Sequence, residues 1–384
     1  MKNFGFIIFF SVVLVLYALI NYYIIRRGLS VIPQGSSLKT WLIFGVSFMA
    51  VAFLAGRFLE RVSVNWFTAT LIWVGSFWLG IMVYLLLQLV LIDLVRLLNM
   101  IFGFLPVFTN PEKVRKLIGI TVISITGFIV LAGHINTWFP VVRNIELEVD
   151  KHGGNIEELH IVAFSDVHLG TTIEKRHLSI IVDKVNNLKP DLILIPGDII
   201  DEDIAPVIQN NVGEILKQLD ARYGVYAVTG NHEYIGGVKA SKKYLAEHGV
   251  ELLNDTALLI NDSFYVVGRE DLTIRQFTNG KRKELSEIMM DLDRSKPIIL
   301  MDHQPFKLEI AEQNGVDLQL SGHTHHGQLW PFNYITNMVY ELGWGYKKKG
   351  TTHFYVSSGV GGWGPPIRTV NRPEIVSIKL KFSK

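Results

Sequence analysis

Five short polar blocks between Phe164 and Gly327 hold most of the residues in this chain that could do chemistry. They are Asp166-Val-His168, Gly197-Asp198-Ile-Ile-Asp201, Gly230-Asn231-His232-Glu233, His303 within Met-Asp-His-Gln-Pro, and Gly322-His323-Thr-His325. Each follows an apolar run of β type, and strand ends in an open α/β sheet converge on one crevice, so residues distant in sequence can share one site. Carboxylate, amide oxygen and imidazole donors, with no thiol anywhere in the chain, suit a pair of divalent first-row metal ions. Asp198 is the best candidate to bridge them. Its two carboxylate oxygens can hold two cations about 3.5–4 Å apart, the separation of two-metal phosphatases. A single Asx-Gly block at a strand end would as readily be a turn; five in order point to a two-metal hydrolase.

The elements that must position these blocks read as alternating strand and helix. Apolar runs at Ile156–Ser165, Asp191–Pro196, Gly224–Thr229, Phe264–Gly268, Pro297–Met301, Val316–Leu320, His353–Ser357 and Ile375–Leu380 predict strands. Ile145-Glu-Leu-Glu-Val149 alternates as a strand with one solvated face. Helical patterns fall at Lys175–Leu188, Val212–Ala221 and Lys239–His248. The expected fold is α/β, a four-layer α/β/β/α sandwich, preceded by an α-helical transmembrane domain.

That preceding domain is visible as four stretches without Asp, Glu, Lys or Arg: 3–25, 40–56, 62–92 and 117–142. A bilayer core needs about 20 apolar residues as helix, which predicts spans at about 4–25, 40–59, 67–92 and 117–138. A signal peptide fits the first stretch poorly, because no small-x-small site follows and the chain stays apolar. The expected domains are 1–142 transmembrane, 143–155 linker and first strand, and 156–384 catalytic. Seven Lys/Arg flank the first and third loops against five on the opposite side, which places the catalytic domain on the extracytoplasmic face by the charge rule. The chain has 384 residues, is 49% hydrophobic and has a net charge of +2. That charge, with no Lys/Arg-rich run, argues against nucleic acid as a partner. Without cysteine, disulfides are excluded. Oligomeric state is not readable.

The blocks resemble the calcineurin-like metallophosphoesterase superfamily, whose pattern is D-x-H, G-D-x-x-D, G-N-H-D/E, H and G-H-x-H, over roughly residues 156–384. The ending Ser358-Gly359-Val-Gly361-Gly362-Trp363, with Arg368 and Pro373-Glu374-Ile375, is similar to its membrane-associated bacterial branch. The resemblance implies that Asp166, His168 and His325 complete one metal site and Asn231, His303 and His323 the other. It gives His232 the part of the catalytic histidine, stabilising charge at phosphorus or protonating the leaving oxygen. The metals implied are two divalent ions (Mn, Fe or Zn), and a metal-bound hydroxide would attack phosphorus. Glu233 or Asp201 would orient a histidine or ligand from behind, with a plain surface residue as the competing reading of Glu233. His326 departs from the branch's G-H-T-H-G-G-Q and could narrow the pocket or touch a phosphate. Arg368 is a candidate for the same contact. The remaining histidines read as ordinary.

The function expected is a phosphohydrolase anchored in the bacterial cell membrane, cleaving a phosphoester or pyrophosphate of a small-molecule or lipid substrate; a lipid-linked or cell-envelope compound fits an enzyme tethered to a bilayer. A non-catalytic membrane receptor or scaffold on the same fold is the alternative. A transporter ranks last, since no charged residue sits at the middle of a span.

Overall fold

The computed structural model describes residues 2–106 and 108–383. The chain divides into two compact units, Met1–Gly133 with Gly364–Pro366, and His134–Trp363 with Ile367–Lys384.

The first unit is built from four helices, α1 (Lys2–Leu29), α2 (Leu38–Glu60), α3 (Trp66–Phe102) and α4 (Pro111–Thr137). All four contain stretches long and apolar enough to cross a membrane. Asn65 caps α3, accepting from the Phe67 and Thr68 amides, and Gly103 ends it in the left-handed conformation. The α3 helix runs ten residues beyond the expected 67–92. Asp93 does not stop it, because that carboxylate pairs with Arg27 and accepts from the Tyr23 hydroxyl at 2.7 Å. The helices pack through small residues, with Gly75 against the Phe53 backbone and Gly56 against Ile72. Trp41, Phe44, Phe58, Ile123 and Phe128 point outward.

The second unit is two six-stranded sheets with helices outside. The first sheet joins β1 (Val141–His152), β2 (Glu158–Ala163), β3 (Leu192–Pro196), β4 (Val225–Val228), β5 (Glu251–Leu252) and β12 (Glu374–Ser383), in the order β1-β12-β2-β3-β4-β5. The second joins β6 (Thr256–Ile260), β7 (Phe264–Gly268), β8 (Ile298–Met301), β9 (Leu318–Ser321), β10 (Gly345–Lys349) and β11 (Thr352–Val356), in the order β10-β11-β9-β8-β7-β6. Leu-Ile-Leu-Ile-Pro of β3 is buried on both faces, as a central parallel strand requires. Leu147, Ile161, Leu194, Val228, Phe264, Ile299, Leu320 and Ile378 fill the space between the sheets. A second core under α5 (Lys175–Asn187) covers the outer face of the first sheet, and a third covers the outer face of the second. The architecture is thus α/β/β/α. The expected helix Val212–Ala221 shrinks to one turn, Gly213–Leu216, where the Tyr244 hydroxyl takes up the Gly213 amide.

Candidate metal centre

Every block sits where a strand ends. The chain leaving β2 turns through Asp166 and His168, and the chain leaving β3 turns through Gly197 and Asp198. The two turns are zipped together, with the Asp166 amide donating to Gly197 O and the His168 amide to Asp198 O, both at 3.1 Å. Asp166, His168, Asp198, His323 and His325 all take positive φ, between 46° and 70°. For side chains with a Cβ this conformation is costly, and such residues cluster where surrounding structure enforces them for function. Glycines make room beside them. A Cβ on Gly197 would lie 2.5 Å from His303 Nδ1, and one on Gly230 would lie 2.7 Å from both Asp198 Cγ and Asp198 N.

Glu233 is fully buried, which overturns the surface reading. Its carboxylate accepts the amides of Asp198, Ile199, Ile200 and Gly230 at 2.7–3.2 Å, so it fixes the Asp198 turn rather than a histidine. Asp201 takes the other expected role: its Oδ1 lies 3.0 Å from His232 Nδ1.

The donor atoms fall into overlapping groups: Asp166, His168 and His325; His168, Asp198 and His232; and Asp198, His303 and His323. His168 Nε2 faces His325 Nε2 at 3.0 Å, and Asp166 Oδ1 lies 3.5 Å from the same His325 atom. His303 Nδ1 donates to Pro196 O at 2.8 Å, which turns Nε2 toward Asp198 Oδ2 at 3.1 Å and Asn231 Oδ1 at 3.2 Å. Asn231 Oδ1 also stands 2.8 Å from His323 Nδ1. The structure therefore gathers all seven expected ligands, with Asp198 common to two groups. His232 joins them through Asp198 Oδ1, which accepts its backbone amide at 2.9 Å, and its ring meets that of His168 edge-on at 4.5 Å.

Once His303 has committed its Nδ1 proton to Pro196, its Nε2, the Asp198 carboxylate and the Asn231 carbonyl are all acceptors crowded within contact distance. Only a proton or a cation placed among them makes that favourable. In the metal-free protein a proton serves: burial pulls the His303 imidazole down, but Asp198 outweighs it and holds the group well above its ordinary range. Asp198 behaves reciprocally; burial pushes it up, while His303, His232 and His168 hold it well below the usual carboxylate range. Burial pushes His323 down to about 4 and, with His168 and Arg368, holds His325 well below its ordinary value. Both are then neutral, the form that binds metal. Burial raises Asp166. The His, Asp and Asn donors therefore form groups that could hold divalent metal ions, and glycine lets Asp198 and His303 approach closely enough to share them.

His232 is different. Burial pulls its imidazole down, but Asp198 and Asp201 push it up to about 9. It therefore carries a proton at neutral pH in the metal-free protein, and cations held by Asp198 would cancel part of that pull.

One side chain has another role than expected. Arg368 is fully buried, with NH2 bonded to Ser358 O and 3.2 Å from His325 Nδ1. It braces the histidine loop and cannot reach a substrate phosphate. His326 Nδ1 lies 3.0 Å from Asn371 Oδ1 and its ring stacks on Trp344 at 5.1 Å. Gln328 and Trp363, present in the sequence motifs with no role attached, meet beside the site. The Gln328 amide donates to Trp363 O at 2.9 Å and accepts Trp363 N at 3.0 Å, which holds the indole 6.1 Å from the His232 ring. The position of Gln328 just after the histidine block was the available signal.

The model for the calcineurin-like phosphoesterase family matches residues 159–327. An uncharacterized metallophosphoesterase of Campylobacter jejuni is 30% identical over 401 residues, covering 99% of this chain and 100% of that protein. One from Helicobacter pylori is 33% identical over 247 residues, 63% of this chain, and that match spans 64% of the Helicobacter protein. A Danio rerio protein described as a transmembrane protein with metallophosphoesterase domain is 32% identical over 269 residues, 67% of this chain and 61% of its own length. With a relative matched end to end, the metallophosphoesterase pattern at its strand ends, and four helices long and apolar enough to span a membrane, this chain belongs to the calcineurin-like phosphoesterase family.

Proposed function

We propose that the chain is a membrane-anchored phosphohydrolase that uses two divalent metal ions (manganese, iron or zinc) to cleave a phosphoester or pyrophosphate of a lipid-linked or cell-envelope substrate. The observation that carries this reading is the gathering of His and Asp donor atoms around Asp198, in groups close enough together to hold metal ions, with the Asn231 carbonyl beside them. Asp166, His168 and His325 would hold one ion, Asn231, His303 and His323 the other, and Asp198 both. When bound, such a pair acidifies water and neutralises charge on a phosphate. The chain's own part is then positional. Glu233 and the glycines fix the Asp198 turn, Pro196 sets the His303 tautomer, and Asp201 holds His232 at Nδ1. The Nε2 proton of His232 is left to serve the leaving oxygen. Residues 1–142 would be the membrane domain, 143–155 the first strand and linker, and 156–384 the catalytic domain, in a bacterial cell membrane with the catalytic domain on the outer face. The test is hydrolysis of p-nitrophenyl mono- and diesters by the full chain with Mn²⁺, with and without chelator, alongside protease shaving of intact cells. Absence of turnover by metal-loaded protein would favour the receptor reading.

A further inference from the structure

The helix Phe332–Val339 is built inside out. Its inward side is polar: Thr336 is buried and Asn333 half-buried. Its outward side carries Tyr334, Ile335, Met338 and Val339, with Met338 85% exposed, and Trp330 stands exposed just before it. From Gly327 to Tyr346 the only charged residue is Glu341.

This helix is fastened to the metal centre. Gly327, directly after the histidine block, touches the backbone of Phe332 and Asn333, leaving no room for a Cβ. Thr324 Oγ1 donates to Gly343 O at 2.6 Å, tying down the far side. Tyr340 places its ring 6.2 Å from that of His323 and 4.8 Å from that of Phe306.

An apolar face so placed needs a cover. Eight residues make a helix about 12 Å long, too little for a stable protein interface of about 800 Å² per partner. It is also far too short to span a bilayer. The face is a single convex helix with Trp and Tyr beside Ile, Met and Val, the composition of a segment lying in a membrane interface. Lys347 and Lys349 both reach the Glu341 carboxylate, at 2.9 and 3.3 Å, and Lys349 also faces Glu312 at 3.9 Å, so these charges are paired with one another. The same chain carries four candidate spans, which would keep this unit beside a bilayer.

We propose that Trp330 and the Phe332–Val339 helix form an interfacial anchor. Its apolar face seats at the boundary between headgroups and acyl chains and brings the His323–His325 loop to the phosphate of an amphiphile still embedded in the membrane. This rests on the phosphohydrolase reading of the same site.

Because the chain has no cysteine, Met338→Cys offers a single labelling point. The full chain carrying an environment-sensitive fluorophore there is reconstituted into phosphatidylcholine–phosphatidylglycerol vesicles doped with nitroxide lipid. Met290→Cys, also strongly exposed, is the comparison. The Met338 label should be quenched and the Met290 label should not. Turnover is read with p-nitrophenyl phosphodiesters bearing either a methyl group or a vesicle-embedded hexadecyl chain. Ile335→Asp with Met338→Asp should raise KM for the embedded substrate by about tenfold and leave the methyl substrate within about twofold. An unquenched Met338 label overturns the proposal, and concentration-dependent cross-linking between Met338→Cys copies would assign the face to a second chain instead. Equal loss on both substrates also overturns it, because the helix would then be merely structural. Quenching with no turnover of either substrate would keep the anchor and remove the hydrolase reading.

Discussion

Replacing Gly230 by alanine should disable the metal centre while leaving the fold intact. Gly230 has φ −102°, open to any residue, so the effect is purely one of space. The added Cβ would lie 2.7 Å from both Asp198 Cγ and Asp198 N, where an ordinary contact is about 3.4–4 Å. The Asp198 turn cannot yield freely, because Glu233 holds the amides of Asp198, Ile199, Ile200 and Gly230. The carboxylate must therefore retreat by about 1 Å, and a misplacement of that size costs on the order of 10²-fold in rate. Asp198 is shared by two donor groups, so occupancy of both metals should fall together. The assay pairs metal analysis of purified protein with kcat on a p-nitrophenyl diester, and a thermal melt checks the fold. Alanine at Gly45, where a Cβ meets nothing within 4 Å, is the control. A Gly230→Ala protein with full metal content and kcat within about twofold of the parent would refute the reasoning.

Asp198→Asn should lose both metals and all turnover, since a neutral amide cannot balance two cations; retention of metal by elemental analysis would contradict the bridging assignment. His232→Ala should keep both metals and lose about 10²–10⁴-fold in kcat, and a metal-empty variant would make His232 a ligand. Burial, helped by Arg368 and His134, pushes His177 down to about 4 from its ordinary 6.5. A depressed folded value means its stabilising contribution is complete above about pH 6.5 and is lost as pH falls toward 4, a change of about 3 kcal/mol. His177→Gln should flatten the acid limb of the stability profile over that window, and an unchanged profile would refute it.

The site was legible in sequence because its donors lie in short blocks, each behind an apolar strand such as Leu192–Pro196, and local spacing survives folding. What surrounds them was less legible. Edge strand β10 has no counterpart among the expected strands, because Gly-Tyr-Lys-Lys-Lys has the polarity of a loop and is a strand only through pairing with β11. Spacing leaves Glu233 either an orienting group or a surface residue and makes Arg368 a phosphate candidate, and only the fold shows that one gathers four amides and the other braces the histidine loop. The Phe332–Val339 helix follows the metal block closely, but its polar side faces inward, so a periodicity argument would have buried the wrong face.

The central claim is that Asp198 and its neighbours hold two catalytic metal ions. The direct measurement is metal stoichiometry of purified full-length protein titrated with chelator, with phosphodiester hydrolysis followed in the same samples. The account predicts about two ions per chain, activity that falls as they are stripped, and recovery when Mn²⁺ is returned. Hydrolysis that persists after both ions are gone, or a fully loaded protein that cleaves no phosphoester or pyrophosphate, would contradict it.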